Sequence, residues 1–478
     1  MEKNSIHDRG DIARYGIGAL LSGGGAKPDP NTPAAWLNMV NGFQTFAQRT
    51  RLGIPLLYGA DGMHGHANVP GATVFPHFIG LGATHDASLV QRVAQATATE
   101  MAATGIYWNF SPNLDVVQDT RWGRTYESFG SDSATVTALG RAFLEGTHSS
   151  VQGAAIGTAK HYLGAGAMSW GSSSNQEFKI DQGTTEVDEA TLRRVHLPPF
   201  QAATEAGVAS VMVGLNNWNG TKLAANHYLI TDVLKRELGF IGFVVSDWYG
   251  VYEILGGEYR AVVTALNAGV DMVMLPYDYR SFVGYVTQAL QRGDVTEARL
   301  DDAVRRILTV KFRLGLFDHP LAERGDLSQI GTGEHRELAR EAVRKSLVLL
   351  KNTRSALPLN KQTPHIIVAG SSAHNLGRQC GGWTIEWQGI DGNWIPGTTI
   401  LDGIKKIVSE NTIVEYSAAG NYVANKELAD VGIAVVGEVP YAEGWGDNAH
   451  PSLTPEDLRT IKKLKALSKK LVVIIISG

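Results

Sequence analysis

Residues 242–248 read "GFVVSDW", an apolar run that ends in Asp247 and is followed at once by Trp248. A carboxylate leaving a buried strand beside a broad indole face suits a sugar. Axial C–H faces stack on aromatic rings while hydroxyls take charged hydrogen bonds. Read alone, the same acid serves equally well as a helix N-cap, a common fate of Asp after a strand. Its company points the other way. "YGADGMHGHANV" contributes Asp61, His64 and His66, "DTRWGRTYESFGSD" contributes Arg121, Arg124 and Glu127, and "TAKHYLG" contributes Lys160 and His161. Each of these alone reads as structural. Converging on one face, without metal-type spacing, they form a cage for a polyhydroxylated ligand. Later in the chain, "GGWTIEWQG" carries Trp383, Glu386 and Trp387, and "GEVPYAEGWGDN" carries Glu438, Glu443 and Trp445. Tryptophans in glycine-rich loops either stack on a ligand or pack against the first domain.

The elements that must position these groups alternate regularly up to about residue 315. Strand-like runs begin at Ile17, Ile54, Gly105, Ile156, Ser210, Gly242 and Val270, and amphipathic segments such as "ASLVQRVAQATATEMAATG" lie between them. Near-continuous apolar strands separated by helices predict a parallel sheet, and over this length a TIM-like (β/α) barrel. Asp61, Asn109, Lys160, His161 and Asp247 fall at C-terminal strand ends, which in such a barrel share one face. Seven strands make the barrel either irregular or incomplete. The expected domains are a barrel over 1–315, a polar linker over 316–335, and an α/β sandwich domain over 336–478. In the last, Thr454 caps a helix with Pro455 at its first position. The chain stops at a strand, "LVVIIISG", which suggests C-terminal truncation.

Composition narrows the function classes. A chain of 478 residues exceeds one hydrophobic core and suits two domains. A formal charge of −4 carries no polyanion-binding signature, which argues against a nucleic-acid partner. No apolar run reaches the roughly 18 residues a spanning helix needs, so no membrane partner is expected. The N-terminal stretch is charged and lacks a signal-peptide apolar segment. A periplasmic or extracellular place then requires that a leader was removed, and the alternative is cytoplasmic. Cys380 is the single cysteine. It reads as a small buried thiol, and no Cys/His cluster has zinc-like spacing.

Six stretches in order, "YGADGMHGH", "DTRWGRTYESFGSD", "AKHYLG", "GFVVSDW", "GGWTIEWQG" and "GEVPYAEGWGD", resemble glycoside hydrolase family 3. The likeness is to its exo-acting β-glucosidases and β-glucan glucohydrolases, and it covers nearly the whole chain. It implies a retaining β-glucosidase that releases glucose from the non-reducing end of β-glucosides or β-gluco-oligosaccharides. The implied nucleophile is Asp247 and the implied general acid/base is Glu443, with Glu438 as the fallback. Substrate-binding positions carry over to Asp61, Arg124, Lys160, His161, Asp181 and Met212, and Trp248 and Trp387 resemble the indoles that clamp the neighbouring sugar. No metal or organic cofactor enters this chemistry. Asp247 attacks as an anion favoured by Lys160, His161 and Arg124, while Glu443 holds a proton for the leaving oxygen. Retention expects the two carboxyls about 5–5.5 Å apart.

Three positions depart from the family pattern: Ala165 for an acid, Leu215 for an aromatic residue and Glu253 for an arginine. A β-N-acetylglucosaminidase of the same family would carry a second His where Ala165 stands. The remaining alternative is a non-catalytic, hydrolase-like glycan-binding protein. The sequence leaves the oligomeric state open.

Overall fold

The computed structural model describes residues 1–148, 155–322, 326–422 and 427–478. They form two compact units, Met1–Ser346 with Glu443–Asp447, and Leu347–Ala442 with Asn448–Gly478.

The first unit carries the strands β1 (Ala19–Ser22), β2 (Leu57–Ala60), β3 (Trp108–Asn109) and β4 (Thr158–Tyr162). These are followed by β5 (Thr184–Thr185), β6 (Ser210–Val213), β7 (Asn217–Trp218), β8 (Thr221–Lys222) and β9 (Phe243–Ser246). Two parallel sheets, β1-β2-β3 and β4-β6-β9, make up the barrel wall, and isolated parallel bridges, Trp108 to Ile156 and Asn113 to Lys160, link them. The strands are apolar on both faces because both are covered. Leu21, Leu57, Trp108, Met212, Phe243 and Val245 share one cluster. Leu20 and Tyr58, one residue out of phase, pack instead with Trp36 and Val40 of the helix Pro33–Ala47. That split is the period-two alternation of a strand. Trp108 ties three strands together, its Nε1 donating to Thr158 Oγ1 at 2.8 Å and Ser210 Oγ at 3.0 Å.

The expected strand at Val270 forms no ladder, only the bridge Val245 to Met272. Asp271 is the reason. Its Oδ2 accepts the Val244 N–H at 2.8 Å, so a side chain takes a donor that a strand carbonyl would otherwise take. Further round, Glu2 bridges Leu21, and its N–H donates to the Pro276 carbonyl at 3.2 Å. The barrel is therefore TIM-like but held in part by single bridges, and its parallel sheets do not close. β5, β7 and β8 form a small separate sheet that the hydrophobic pattern did not announce. The helix Gly333–Ser346 groups with this unit. Arg92 holds its Glu341 through two hydrogen bonds of 2.9 and 2.8 Å, and Asp86 accepts from Lys345 at 2.8 Å.

The second unit carries β10 (His365–Ala369), β11 (Ile413–Ser417), β12 (Ala429–Gly437) and β13 (Ser468–Ile476). All are parallel, in the order β11-β10-β12-β13. Alternation again sorts the side chains. Ile366, Val368, Val431, Ile433 and Val435 face Leu401 of the helix Ile400–Ile407. Ile367, Ala369 and Ala434 face Leu464 of the helix Pro455–Leu467. Thr454 caps that last helix as expected, its Oγ1 accepting the Asp457 N–H at 3.1 Å. Thr454→Ala should lower the stability of this unit by about 1 kcal/mol in urea melts. Among the described residues no helix is long and apolar enough to cross a membrane.

Candidate active site

Parallel strands deliver their C-terminal ends to one face, and the expected residues of the first unit are distributed along it. Asp61 directly follows β2, Lys160 and His161 lie on β4, and Asp247 directly follows β9. Arg124 precedes the short helical turn Thr125–Glu127. One cavity is lined by Trp122, Arg124, His161, Asp181 and Asp247 together with Leu215.

Charges on this face are arranged in pairs. Lys160 Nζ lies 3.5 Å from Asp61 Oδ1. Burial raises the Asp61 carboxyl, Lys160 opposes that, and the nearby Asp247 charge adds to it. Asp247 Oδ1 accepts the N–H of Trp248 at 2.6 Å, and its Oδ2 lies 3.8 Å from His161 Nε2. The other nitrogen of His161, Nδ1, is 2.8 Å from Asp115 Oδ2. Burial, helped by the Arg124 and Lys160 cations, holds His161 well below its ordinary value. His161 is therefore a neutral imidazole at neutral pH, which corrects its expected place among the cations around Asp247. Asp115 behind it is pushed up to about 7 by burial, against the pull of Arg124. Asp181 is pushed up to about 6, again by burial against Arg124, and its Oδ1 accepts from Trp122 Nε1 at 2.9 Å.

Glu443 joins this unit as part of the short segment Glu443–Asp447. Its Oε1 lies 3.4 Å from Arg124 Nη1. Burial pushes its carboxyl up to about 8. Arg124 opposes the shift, while the charges of Asp181, Glu127 and Asp247 add to it. The shift is upward because burial outweighs the Arg124 cation, with the three acids adding to it. Arg124 is itself fixed from behind by the buried Glu127, with hydrogen bonds of 3.1 and 2.8 Å. Burial disfavours the guanidinium, but Glu127, Glu443, Asp181 and Asp247 together hold it well above its usual range.

The segment carrying Glu443 is seated by a residue whose role sequence reasoning missed. Asp447 Oδ1 accepts the N–H of Gly123 at 2.9 Å. Its Oδ2 accepts those of Lys179, Ile180 and Asp181 at 2.9, 2.8 and 3.0 Å. Four backbone donors on one carboxylate make a strong charge-assisted anchor. Gly123 is required for the close approach, since a Cβ there would come within 2.2 Å of the Glu443 carbonyl oxygen. Glu443 has φ +57, a left-handed conformation that a non-glycine residue holds only where its surroundings impose it. The signal was present in "AEGWGD", but spacing alone does not say which backbone amides an acid will meet.

Other expected residues lie elsewhere. Met212 packs in the barrel interior with Trp108 and Phe243 and is not among the side chains lining the cavity. His64 and His66 are core residues. The first has Nδ1 2.9 Å from the Phe75 carbonyl, and the second has Nε2 2.9 Å from Thr104 Oγ1. Arg121 turns to Asp119 and lies over the Trp170 ring. Trp387 belongs to the second unit, where its carbonyl accepts the Trp383 N–H at 2.9 Å. Glu438 also lies there, its Oε2 accepting from Tyr441 Oη at 3.1 Å and from the Gly478 N–H at 2.9 Å. Of the departing positions, Ala165 and Leu215 both line the cavity, and Glu253 pairs with Lys222 at 2.5 Å. Among the described residues no group of His, Cys, Asp and Glu is arranged to hold a metal ion.

The chain matches the glycosyl hydrolase family 3 N-terminal domain over residues 2–310 and the glycosyl hydrolase family 3 C-terminal domain over residues 347–478. It is 32% identical to a lysosomal beta glucosidase of Dictyostelium discoideum, over 97% of this chain and 60% of that one. To a periplasmic beta-glucosidase of Salmonella typhimurium it is 31% identical, over 90% and 59%. The chain thus spans less than two thirds of these relatives. Among solved structures it resembles a mutant of an exo-1,3/1,4-beta-glucanase from a Pseudoalteromonas species, with a TM-score of 0.91 and 38% identity over 99% of this chain and 78% of that one. A beta-glucosidase from Listeria innocua in complex with glucose matches with a TM-score of 0.82 and 27% identity, over 96% and 62%.

Proposed function

The chain belongs to glycosyl hydrolase family 3, and from that membership we propose that it is a retaining, exo-acting β-glucosidase. In this reading it removes glucose from the non-reducing end of β-glucosides or β-gluco-oligosaccharides. Asp247 is the nucleophile, Glu443 the general acid/base, and Asp61, Arg124, Lys160, His161 and Asp181 hold the glucose ring. Trp248 stacks on the neighbouring sugar. The observation that carries the reading is the Glu443 carboxyl, pushed up to about 8 in the electrostatic reach of Asp247. Double displacement needs two carboxyls in opposite protonation states. A proton on Glu443 serves the leaving oxygen while the Asp247 carboxylate attacks the anomeric carbon. Once the glycosyl ester forms, the Asp247 charge is gone, the Glu443 proton is held less tightly, and Glu443 can take a proton from water. Neutral His161, backed by Asp115, lies beside Asp247 without neutralising it.

The engagement of Glu438 within the second unit favours Glu443 as the acid. Ala165 in the cavity wall disfavours the acetylglucosaminidase reading, which needs an imidazole there. Incubation with a 2-fluoro-glucoside followed by peptide mapping tests activity, retention and nucleophile together. A label on Asp247 is the expected result, and a label on another acid reassigns the nucleophile. The pH profile gives a second check. Because the free-enzyme value of Glu443 is raised and the acid must be protonated, kcat/KM should hold below about 8 and fall as pH rises through it.

A further inference from the structure

The small sheet of β5, β7 and β8 has a sequence origin in "NWNGTK". Asn219 and Gly220 stand at φ +48 and +89, both positive as in the two-residue type I′ hairpin turn that Asn-Gly favours. The chain therefore reverses after Trp218, and Lys222 returns opposite Asn217. From there Lys222 Nζ donates to the Leu215 carbonyl at 2.7 Å and to Glu253 Oε2 at 2.5 Å. The two charged side chains are only 17% and 29% exposed. Leu215 lines the cavity, and it leans on the turn that follows Asp247, where a Cβ on Gly250 would come within 2.8 Å of Leu215 Cδ2. That turn is closed by the Gly250 N–H on the Asp247 carbonyl at 3.1 Å and the Tyr252 N–H on the Tyr249 carbonyl at 2.8 Å. Glu253 is the next residue.

One ammonium thus joins three pieces of chain: the hairpin that carries it, the cavity wall at Leu215, and the segment that begins with the proposed nucleophile. A solvated surface pair would hold little, but this one is mostly out of water, where breaking either partner leaves a charge uncompensated. Glu253 is also electrically close to the chemistry. Burial raises its carboxyl, Lys222 opposes that, and the Asp247 charge adds to it. A nucleophile works only from a near-attack geometry, so whatever fixes the turn after Asp247 bears on its reach. We propose that Lys222 and Glu253 are positioning residues that clamp this turn to the cavity wall, so that the β5-β7-β8 sheet serves the attack of Asp247. Neither side chain touches a reacting atom. This rests on the β-glucosidase reading.

The test uses a 2-fluoro-glucoside with an activated leaving group, which departs without an acid's help, so the labelling rate reads the attack alone. Lys222→Met should slow the inactivation rate constant roughly 10- to 100-fold with affinity for the reagent kept within about twofold, because a misplacement of about 1 Å costs rate far more than binding. Lys222→Arg should recover most of the rate, since a cation again reaches the carbonyl and the carboxylate. Adding Glu253→Gln to Lys222→Met should leave the rate low. A return to the wild-type rate there would mean that an unpaired carboxylate, not a lost clamp, caused the loss, and overturns the proposal. Unchanged labelling in Lys222→Met, or rate and affinity falling together, overturns it as well. If Lys222→Met does not fold, Glu253→Leu cuts the bridge from its other end and carries the same expectations. If the wild type takes no label, the β-glucosidase reading fails separately. Deuterium exchange then reads the clamp alone. Faster exchange over 247–254 in Lys222→Met supports it, and unchanged exchange there overturns it.

Discussion

Asp247→Asn should cost roughly 10⁴-fold or more in kcat on every β-glucoside, the scale on which enzymes lose a covalent nucleophile. The substitution keeps the side chain's size. Its amide can still occupy the place between the Trp248 N–H and His161, so the folded unit and glucose binding should survive. Thermal unfolding and calorimetric titration with glucose check both. The collapse has a simple origin, since an amide nitrogen or a neutral carbonyl oxygen cannot form the glycosyl ester that double displacement requires. Turnover within tenfold of wild type would remove Asp247 from the mechanism.

Asp447→Ala should lower kcat/KM about 10²-fold on substrates with poor leaving groups and much less on activated aryl glucosides. The residue touches no reacting atom in this scheme and acts by position. Without its carboxylate the amides of Gly123, Lys179, Ile180 and Asp181 lose a shared acceptor. The turn that imposes φ +57 on Glu443 is then released. A misplacement of about 1 Å at a catalytic group is worth on the order of 10²-fold, and only steps that need the acid should register it. The leaving-group dependence is what separates this from general damage. Glu443→Gln should show the same pattern more strongly, by roughly 10²–10⁴-fold. The basic limb near 8 should also disappear in Glu443→Gln. A uniform loss on all substrates for Asp447→Ala would mean a merely structural role.

The residues of the first unit's site were readable because strand ends are readable. An apolar run that stops at an acid marks both the burial of the strand and the exposure of its tip. Asp61, Lys160, His161 and Asp247 follow from that rule once the sheet is parallel. The same rule overreached at Val270, where Asp271 turned a strand into a bridge by accepting the Val244 N–H. It also overreached at His64 and His66, which carry the right chemistry but turn to a carbonyl and a hydroxyl in the core.

Periodicity and residue type at fixed offsets were enough for the α/β fold class, the acids that end strands and the order of the motifs. Tertiary structure alone decided the protonation pattern and the support behind it. Asp115 is 46 residues from His161 in the chain and Gly123 is 324 from Asp447, and no local pattern encodes such meetings. A carboxyl's proton affinity is set by what is buried around it and which charges face it. Glu443 therefore acquires an acid's character only where folding buries it among Asp181, Glu127 and Asp247, against the pull of Arg124.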